Sequence, residues 1–243
     1  MLAGSAVPLD FPDVAVVYAR FCSLAALSAD LGGWLLLYRG LDHDGVAVVM
    51  ASNVAGAASL GIEPDVARAK SALRTGVCDF VVNSLDEALR ILKNEIRKRR
   101  AVSVVLTGEV DPTVAEIVAR GVQPEILFFP VPELLERGSQ LLAADAEDTR
   151  TAVIWSVEDE PARWLGVVDG LAAATLRAPD ARARWLEVAP RYLGRAYAGR
   201  HFLRMTDGEA NEFIASIRAA ARAGTIPVAV ALMRNGERIS LTS

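Results

Sequence analysis

One stretch, residues 33–63, constrains the fold of this chain more than any other. It contains a short apolar run at 34–38, a turn at 40–45, a segment at 46–56 that is apolar on nearly all sides, and a second apolar run that ends in Glu63. Such a succession is typical of a strand, a buried helix and a second strand in a parallel sheet. We therefore predict a βαβ unit here, with the rest of the chain arranged around it.

The same alternation of strand and helix continues to residue 129. Helices are predicted at 13–31, from Pro64, from the capping pair Ser84 and Glu87, and from Asp111 with Pro112. Strands are predicted at 34–38, 58–62, 80–82, 102–106 and 126–129. Short connections between alternating elements favour right-handed crossovers, so we expect an α/β fold with a Rossmann-like parallel sheet and helices on both faces.

After residue 130 the alternation is less regular. We predict a helix from Pro132 to about 142, an acidic linker at 144–150, strands at 151–157, 201–205 and 228–233, and helices at 161–176, from 178, and at 207–222. This pattern divides the chain into a nucleotide-type domain at 1–145, which includes the first helix, and a C-terminal α/β segment at 146–243. We expect the C-terminal segment to pack on the first domain, and the alternative is that the two form one continuous domain.

Composition excludes several classes of function. The 243 residues carry a net charge of −4, which gives no general attraction to nucleic acid or to anionic lipid. Two cysteines without metal-ligand spacing favour buried free thiols, and two histidines exclude a histidine-rich metal centre. No uncharged apolar stretch is long enough to span a membrane, and Met1–Pro8 lacks the basic start of a signal peptide. We therefore expect a cytoplasmic protein that binds neither membranes nor nucleic acid.

The candidate site follows from the topology. Ligands of open parallel sheets bind beyond the carboxyl ends of the strands. Glu63 lies 23 residues after Gly40, close to the spacing of the acidic residue that binds a ribose diol in dinucleotide sites. The residues that we predict to contact a nucleotide or another small molecule at these ends are Gly40, Asp42, His43, Asp44, Gly45, Glu63, Thr107 and Gly108.

The turn at 40–45 is acidic where a pyrophosphate needs backbone amides without nearby negative charge. Asp42 and Asp44 would repel a phosphate, and His43 between them would offset this only in part. The Asp-His-Asp run also suggests a cation site or a general base, although an exposed polar turn is the simpler interpretation. No catalytic residue is assigned: His43 and Glu109 are weak acid–base candidates, and His201 is interpreted as a structural histidine.

From Gly32 to about Leu127 the chain resembles the NAD-binding domain of the urocanase (urocanate hydratase) family. The matching blocks are Gly32–Leu37 with Gly40-Leu41, Ala55–Glu63, Arg68, Leu73–Thr75, Asp79, Leu85–Leu89, Ala101–Ser103 with Leu106 and Gly108, and Glu116–Pro124. A fainter likeness to the core domain of the family covers Arg184–Ala189 and 223–228. The resemblance implies NAD that acts as an electrophile, a role in histidine degradation, and a homodimer.

The departures from the family pattern fall on its functional motifs. The glycine-rich loop corresponds to 42–49, which keeps Gly45 and Ala47, and a Gly-Asn pair becomes Gly108-Glu109. A polar loop becomes Phe129–Pro132, and the active-site cysteine segment falls near 200–203, which has no cysteine. The resemblance therefore implies a degenerate active site and doubtful NAD binding.

Three interpretations remain open at this point. The first is a urocanase-like protein without hydratase activity, in which a reshaped nucleotide crevice serves binding or assembly. The second is an NAD-dependent hydratase-like lyase that uses Glu63, Thr107 and Gly108 to hold the nucleotide. The third is a generic α/β protein whose acidic turn binds a cation or a cationic metabolite.

Overall fold

The computed structural model describes residues 9–143, 148–177, 180–193, 197 and 200–241. The chain divides into two compact units, residues 1–146 and 147–243. The predicted helix start at 178–179, the first part of the predicted linker and the N-terminal octapeptide lie outside the described residues. None of the described helices is long and apolar enough to cross a membrane.

The first unit alternates strands and helices as predicted. Its elements are α1 (Val14–Leu27), β1 (Leu35–Arg39), α2 (His43–Ala55), β2 (Ala58–Glu63), α3 (Val66–Thr75), β3 (Phe80–Val82), α4 (Leu85–Arg97), β4 (Val102–Thr107), α5 (Val110–Ala119), β5 (Ile126–Leu127), α6 (Pro132–Glu136) and β6 (Gln140–Leu141).

The six strands form one parallel sheet in the order β3-β4-β2-β1-β5-β6. Strands β4, β2, β1, β5 and β6 take the positions of a doubly wound sheet, and β3 is added at one edge. The chain leaves β1 toward β2 and leaves β5 toward β6, in opposite directions. In sheets of this kind the ligand crevice lies at such a switch point, here at the carboxyl ends between β1 and β5. The predicted Rossmann-like fold class is confirmed.

Helix α2 is buried on all sides because it lies between the sheet and α1. It contacts α1, β1, β2 and β4, and every residue from Gly45 to Ala55 is buried. Helices α4, α5 and α6 cover the other face, where alternate residues of the strands, such as Leu35 and Leu37, form the main core with their apolar stripes. The apolar segment at 46–56 thus has the buried position that its sequence predicts.

Several predicted boundaries were wrong. Helix α2 begins at His43 rather than Val46, because Asp42 caps it. Helix α3 is capped by Asp65, so Pro64 precedes the helix. Of the apolar residues of α3, Ala69 is buried, whereas Val66 and Leu73 are 47% and 43% exposed. Helix α5 begins at Val110, with Glu109 in the cap position.

The second unit is an antiparallel α/β unit. Its elements are β7 (Thr151–Val157), α7 (Pro161–Ala174), α8 (Ala181–Leu193), β8 (Arg200–Met205), α9 (Asp207–Arg222), β9 (Val230–Arg234) and β10 (Glu237–Ile239). The strand order is β10-β9-β7-β8, and β7 alternates between buried and half-buried residues, as a sheet with one covered face requires. The short strands β6 and β10 were not predicted.

Candidate functional site

The turn between β1 and α2 is very tight. Gly40 has a left-handed φ of 73°, and its N–H donates to the carbonyl of Ile62 at 2.8 Å. A Cβ on Gly45 would lie 2.1 Å from the carbonyl oxygen of Gly40. Both glycines are therefore required by the backbone path, independently of any ligand.

The amino end of α2 carries acidic side chains. The Oδ1 atom of Asp42 accepts a hydrogen bond from the N–H of Gly45 at 2.9 Å, and Asp44 lies in the first turn. Arg20 of α1 reaches Asp44, with 3.4 Å between Nη2 and Oδ1. These carboxylates compensate the partial positive charge of the helix terminus.

Glu63 is buried and binds backbone amides on both sides of its strand end. It is 1% exposed; Oε2 accepts from the N–H of Leu41 at 2.7 Å, and Oε1 accepts from the N–H of Asp65 at 2.8 Å. The guanidinium of Arg68 lies 3.8 Å from Oε2. In this arrangement the carboxylate holds the β1–α2 turn against the end of β2.

Aromatic side chains follow β5 on the other side of the crevice. The guanidinium of Arg20 lies 5.1 Å from the ring centroid of Phe128, and that of Arg39 lies 5.1 Å from the ring centroid of Phe129. Phe129 is itself buried in the core of the unit. The crevice is thus bordered by protein side chains that contact each other.

The end of β4 lies beside Glu63, because Thr107 is its register partner. The hydroxyl of Thr107 donates to the carbonyl of Val82 at 3.1 Å, and the N–H of Gly108 donates to the carbonyl of Glu63 at 3.3 Å. Glu109 is exposed and makes no capping bond with its side chain.

Tyr38 lies beneath this edge and is completely buried. Its ring covers Gly61, where a Cβ would be 2.3 Å from Cζ. Burial raises the pKa of the Tyr38 hydroxyl well above its usual range, and the neighbouring Cys78 and Glu63 raise it further. No hydrogen-bond partner of this hydroxyl is found among the described residues.

The fold gathers the predicted contact residues at the ends of β1, β2 and β4. His43 is half-buried and is the first residue of α2, so it belongs to a helix and not to a free turn. The roles assigned to these residues, including the ribose contact of Glu63 and acid–base chemistry by His43 or Glu109, stay predictions.

The residues present do not fit the pyrophosphate of a dinucleotide. Two amides near the expected phosphate position, those of Leu41 and Gly45, already donate to carboxylates. Asp42 and Asp44 add negative charge where the ligand would need positive potential. Nor do the described residues contain a group of three or more histidine, cysteine or acidic side chains that could hold a metal ion.

The sequence interpretation missed one polar pair in the second unit. Nδ1 of His201 on β8 lies 2.7 Å from Oδ1 of Asp169 on α7, and the same oxygen accepts from Nε1 of Trp155 at 2.9 Å. The available signal was Asp169 itself, a lone carboxylate in the otherwise apolar run 164–174. Its partner was not predictable, because 32 residues separate the two side chains in the chain.

Comparison with known families agrees with the geometry of the first unit. Residues 17–128 match the family model of the urocanase Rossmann-like domain. The match covers most of α1, the β1–α2 turn and the sheet as far as β5, and it agrees with the resemblance recognised in the sequence. The fainter likeness after residue 128 lies outside the matched residues and stays a prediction. Residues 17–128 therefore form a domain that matches the Rossmann-like domain of the urocanase family.

Proposed function

We propose that this protein is a urocanase relative without urocanate hydratase activity, whose crevice between β1 and β5 serves binding or assembly. The observation that carries the proposal is the engagement of the Leu41 and Gly45 amides by the carboxylates of Glu63 and Asp42. Chemistry of the family type depends on a bound NAD. A turn whose amides are already used, and whose charge is negative, opposes the binding of that cofactor.

The electrostatic cost of placing a phosphate beside Asp42 and Asp44 supports the proposal. A unit charge on Asp42 or Asp44 at about 4 Å from a phosphate oxygen costs about 1 kcal/mol in water and about 4 kcal/mol in a partly desolvated crevice. The helix terminus offers only about half a positive charge in return. Arg20 offsets part of the charge of Asp44, which is 59% exposed on its side chain.

The segment after β5 also supports the loss of the family chemistry. The family resemblance implies a polar loop there, and this chain has the apolar residues Phe129–Pro132. Phe128 and Phe129 each lie beside an arginine. Such contacts hold the crevice together through packing and cation–π attraction. They provide no acid or base.

NAD content tests the proposal first. The purified protein is denatured, and the supernatant is analysed by mass spectrometry for NAD, while calorimetry measures added NAD. We expect no stoichiometric NAD and no binding at micromolar concentration. Stoichiometric NAD in the purified protein would show that the crevice still binds the cofactor and would refute the proposal.

Charge variants make the test specific. The double variant Asp42→Asn/Asp44→Asn keeps the side-chain oxygen that caps α2 and removes two negative charges. We expect NAD affinity to increase by about tenfold or more. Asp86→Asn, which changes an acidic first-turn residue of α4, is the matched control and should leave the affinity unchanged.

Urocanate consumption tests the chemistry. The ultraviolet absorbance of urocanate is followed with the protein and excess NAD. We expect no turnover above the rate without protein. Turnover that depends on NAD would overturn the proposal in favour of a hydratase-like lyase.

Homodimer formation is part of the same proposal. Val66 and Leu73 are both exposed on α3, and their spacing of seven residues places them on the same side of the helix, where they form one apolar surface. Light scattering should give the mass of a dimer, and Val66→Lys/Leu73→Lys should weaken it. A monomeric mass at micromolar concentration would contradict this part.

A further inference from the structure

The second unit has a cleft of about 1000 Å³ between α7 and α8, with β8 at its base. Most of its described lining is apolar or small, including Leu165, Gly166, Gly170, Ala173 and Leu186. Volumes of this size and lining of this kind are typical of small-molecule sites. None of the residues used in the proposed function contributes to this cleft, so the two sites are independent.

Two glycines on α7 leave space that the protein itself does not fill. Gly166 and Gly170 both line the cleft, and apart from the adjacent residues and the backbone of the helix itself no atom lies within 4 Å of the position that a Cβ would take at either of them. Neither has a positive φ. Glycine inside a helix lowers stability relative to alanine. Neither the backbone conformation nor close packing requires glycine at these two positions. Close approach of a ligand to the helix would require it.

The base of the cleft is lined by a hydrogen-bonded pair of polar side chains, Asp169 and His201. The carboxylate of Asp169 only accepts hydrogen bonds, so the indole of Trp155 and Nδ1 of His201 both donate to it. When the imidazole is neutral, the proton on Nδ1 leaves Nε2 as an acceptor. No partner of Nε2 is found among the described residues, and the His201 side chain is 12% exposed. The ring is further held by an edge contact with Trp155.

The rim favours neither sign of charge. Its ionic side chains besides the pair are Arg200 and Glu187, which are exposed and of opposite charge. An anion or a cation would therefore meet repulsion as well as attraction, whereas a neutral apolar molecule meets neither.

We propose that this cleft binds a small, neutral, largely apolar molecule whose hydroxyl or N–H group donates a hydrogen bond to Nε2 of His201. Asp169 fixes the tautomer that accepts this bond, and Gly166 and Gly170 admit the apolar body. The ligand therefore binds with its donor group toward His201.

A matched pair of probes tests the proposal on the whole chain. 1-Naphthol carries a hydroxyl donor, and 1-methoxynaphthalene has the same body without it. We expect calorimetry to show both binding, with 1-naphthol about three- to tenfold tighter, the range of one net hydrogen bond. Equal affinities, or no binding of either, would overturn the proposal without affecting the proposed function of the first unit.

Variants locate the binding. His201→Phe should keep binding but remove the preference for 1-naphthol, whereas His43→Phe, at the other histidine of the chain, should retain it. Gly170→Leu should fold, because its side chain enters open space, and should lose both probes. Gly208→Leu, a glycine in α9 outside the cleft, is its control. Unchanged binding in Gly170→Leu would overturn the proposal.

The oligomeric state distinguishes a ligand site from a subunit interface. If the groove instead holds a second copy of the chain, Gly170→Leu should convert a dimer into a monomer in light scattering. An unchanged mass together with lost probe binding supports the ligand site. A shift to monomer would assign the groove to assembly and refute the proposal.

Discussion

Replacement of Glu63 by glutamine should destabilise the first unit much more than its small change in shape suggests. Both carboxylate oxygens accept backbone N–H groups, at 2.7 Å from Leu41 and 2.8 Å from Asp65, and the side chain is buried. Glutamine keeps one acceptor oxygen and places an NH₂ group against the other amide. One charge-assisted bond is lost, and one buried donor is left without an acceptor.

The size of the effect follows from these contacts. Together the two losses amount to about 2–4 kcal/mol. Arg68 adds less than about 1 kcal/mol, because its guanidinium is solvent-accessible and lies 3.8 Å away. The free energy of unfolding of the first unit in the Glu63→Gln variant should therefore fall by about 2–4 kcal/mol.

Urea denaturation followed by circular dichroism measures this change, and hydrogen exchange of peptides that span β1 and α2 localises it. Exchange should accelerate first at the β1–α2 turn. Glu109→Gln is the control, since Glu109 is exposed and makes no capping bond, and it should change stability by less than about 0.5 kcal/mol. If both variants behave alike, Glu63 does not hold the turn.

Three further predictions concern Tyr38, Cys78 and Glu209. Tyr38→Phe should be neutral or stabilise the protein by about 1 kcal/mol in urea denaturation, because it removes a buried hydroxyl without a described partner; a loss of 2 kcal/mol or more would reveal a bond that the structure does not show. Burial, and then the charge of Asp79, raise the pKa of the Cys78 thiol to about 12, so Cys78 should resist a thiol reagent at pH 8 until the protein is unfolded, and rapid labelling of the native protein would contradict this. The hydrogen bond from Arg182 lowers the pKa of Glu209 from 4.5 to about 2, so the stabilisation is complete above pH 4.5 and is lost as the pH falls toward 2. Arg182→Met should remove this part of the acid dependence, as thermal melts across that range would show, and an unchanged pH profile would refute the assignment.

Local signals explain why much of the first unit could be predicted. Glycine ends the helices at Gly56 and Gly76, and Ser84 caps α4 through the N–H of Glu87. Each signal acts over a few residues, so one sequence reveals it. The predicted position of Glu63 at the end of β2 was correct for the same reason.

The site was less predictable because its contacts join distant parts of the chain. The sequence placed Glu63 at the correct strand end but could not show that its oxygens bind the amides of Leu41 and Asp65. Similarly, Val66, Ala69 and Leu73 share one face of α3, but of these three only Ala69 is buried. Whether a helix face is buried depends on which other element packs against it. The sequence of the helix itself does not specify that element.

The sequence by itself determined the alternation of strands and helices from residue 34 to 129 and the acidic character of the β1–α2 turn. Hydrophobic periodicity and capping are properties of neighbouring residues, and charge is a property of composition. Only the tertiary structure decided that carboxylates occupy the Leu41 and Gly45 amides and that Asp169 orients His201 beside an open cleft. These arrangements form when packing brings together side chains that are far apart in the sequence. The spacing of residues along the chain does not show which of them meet.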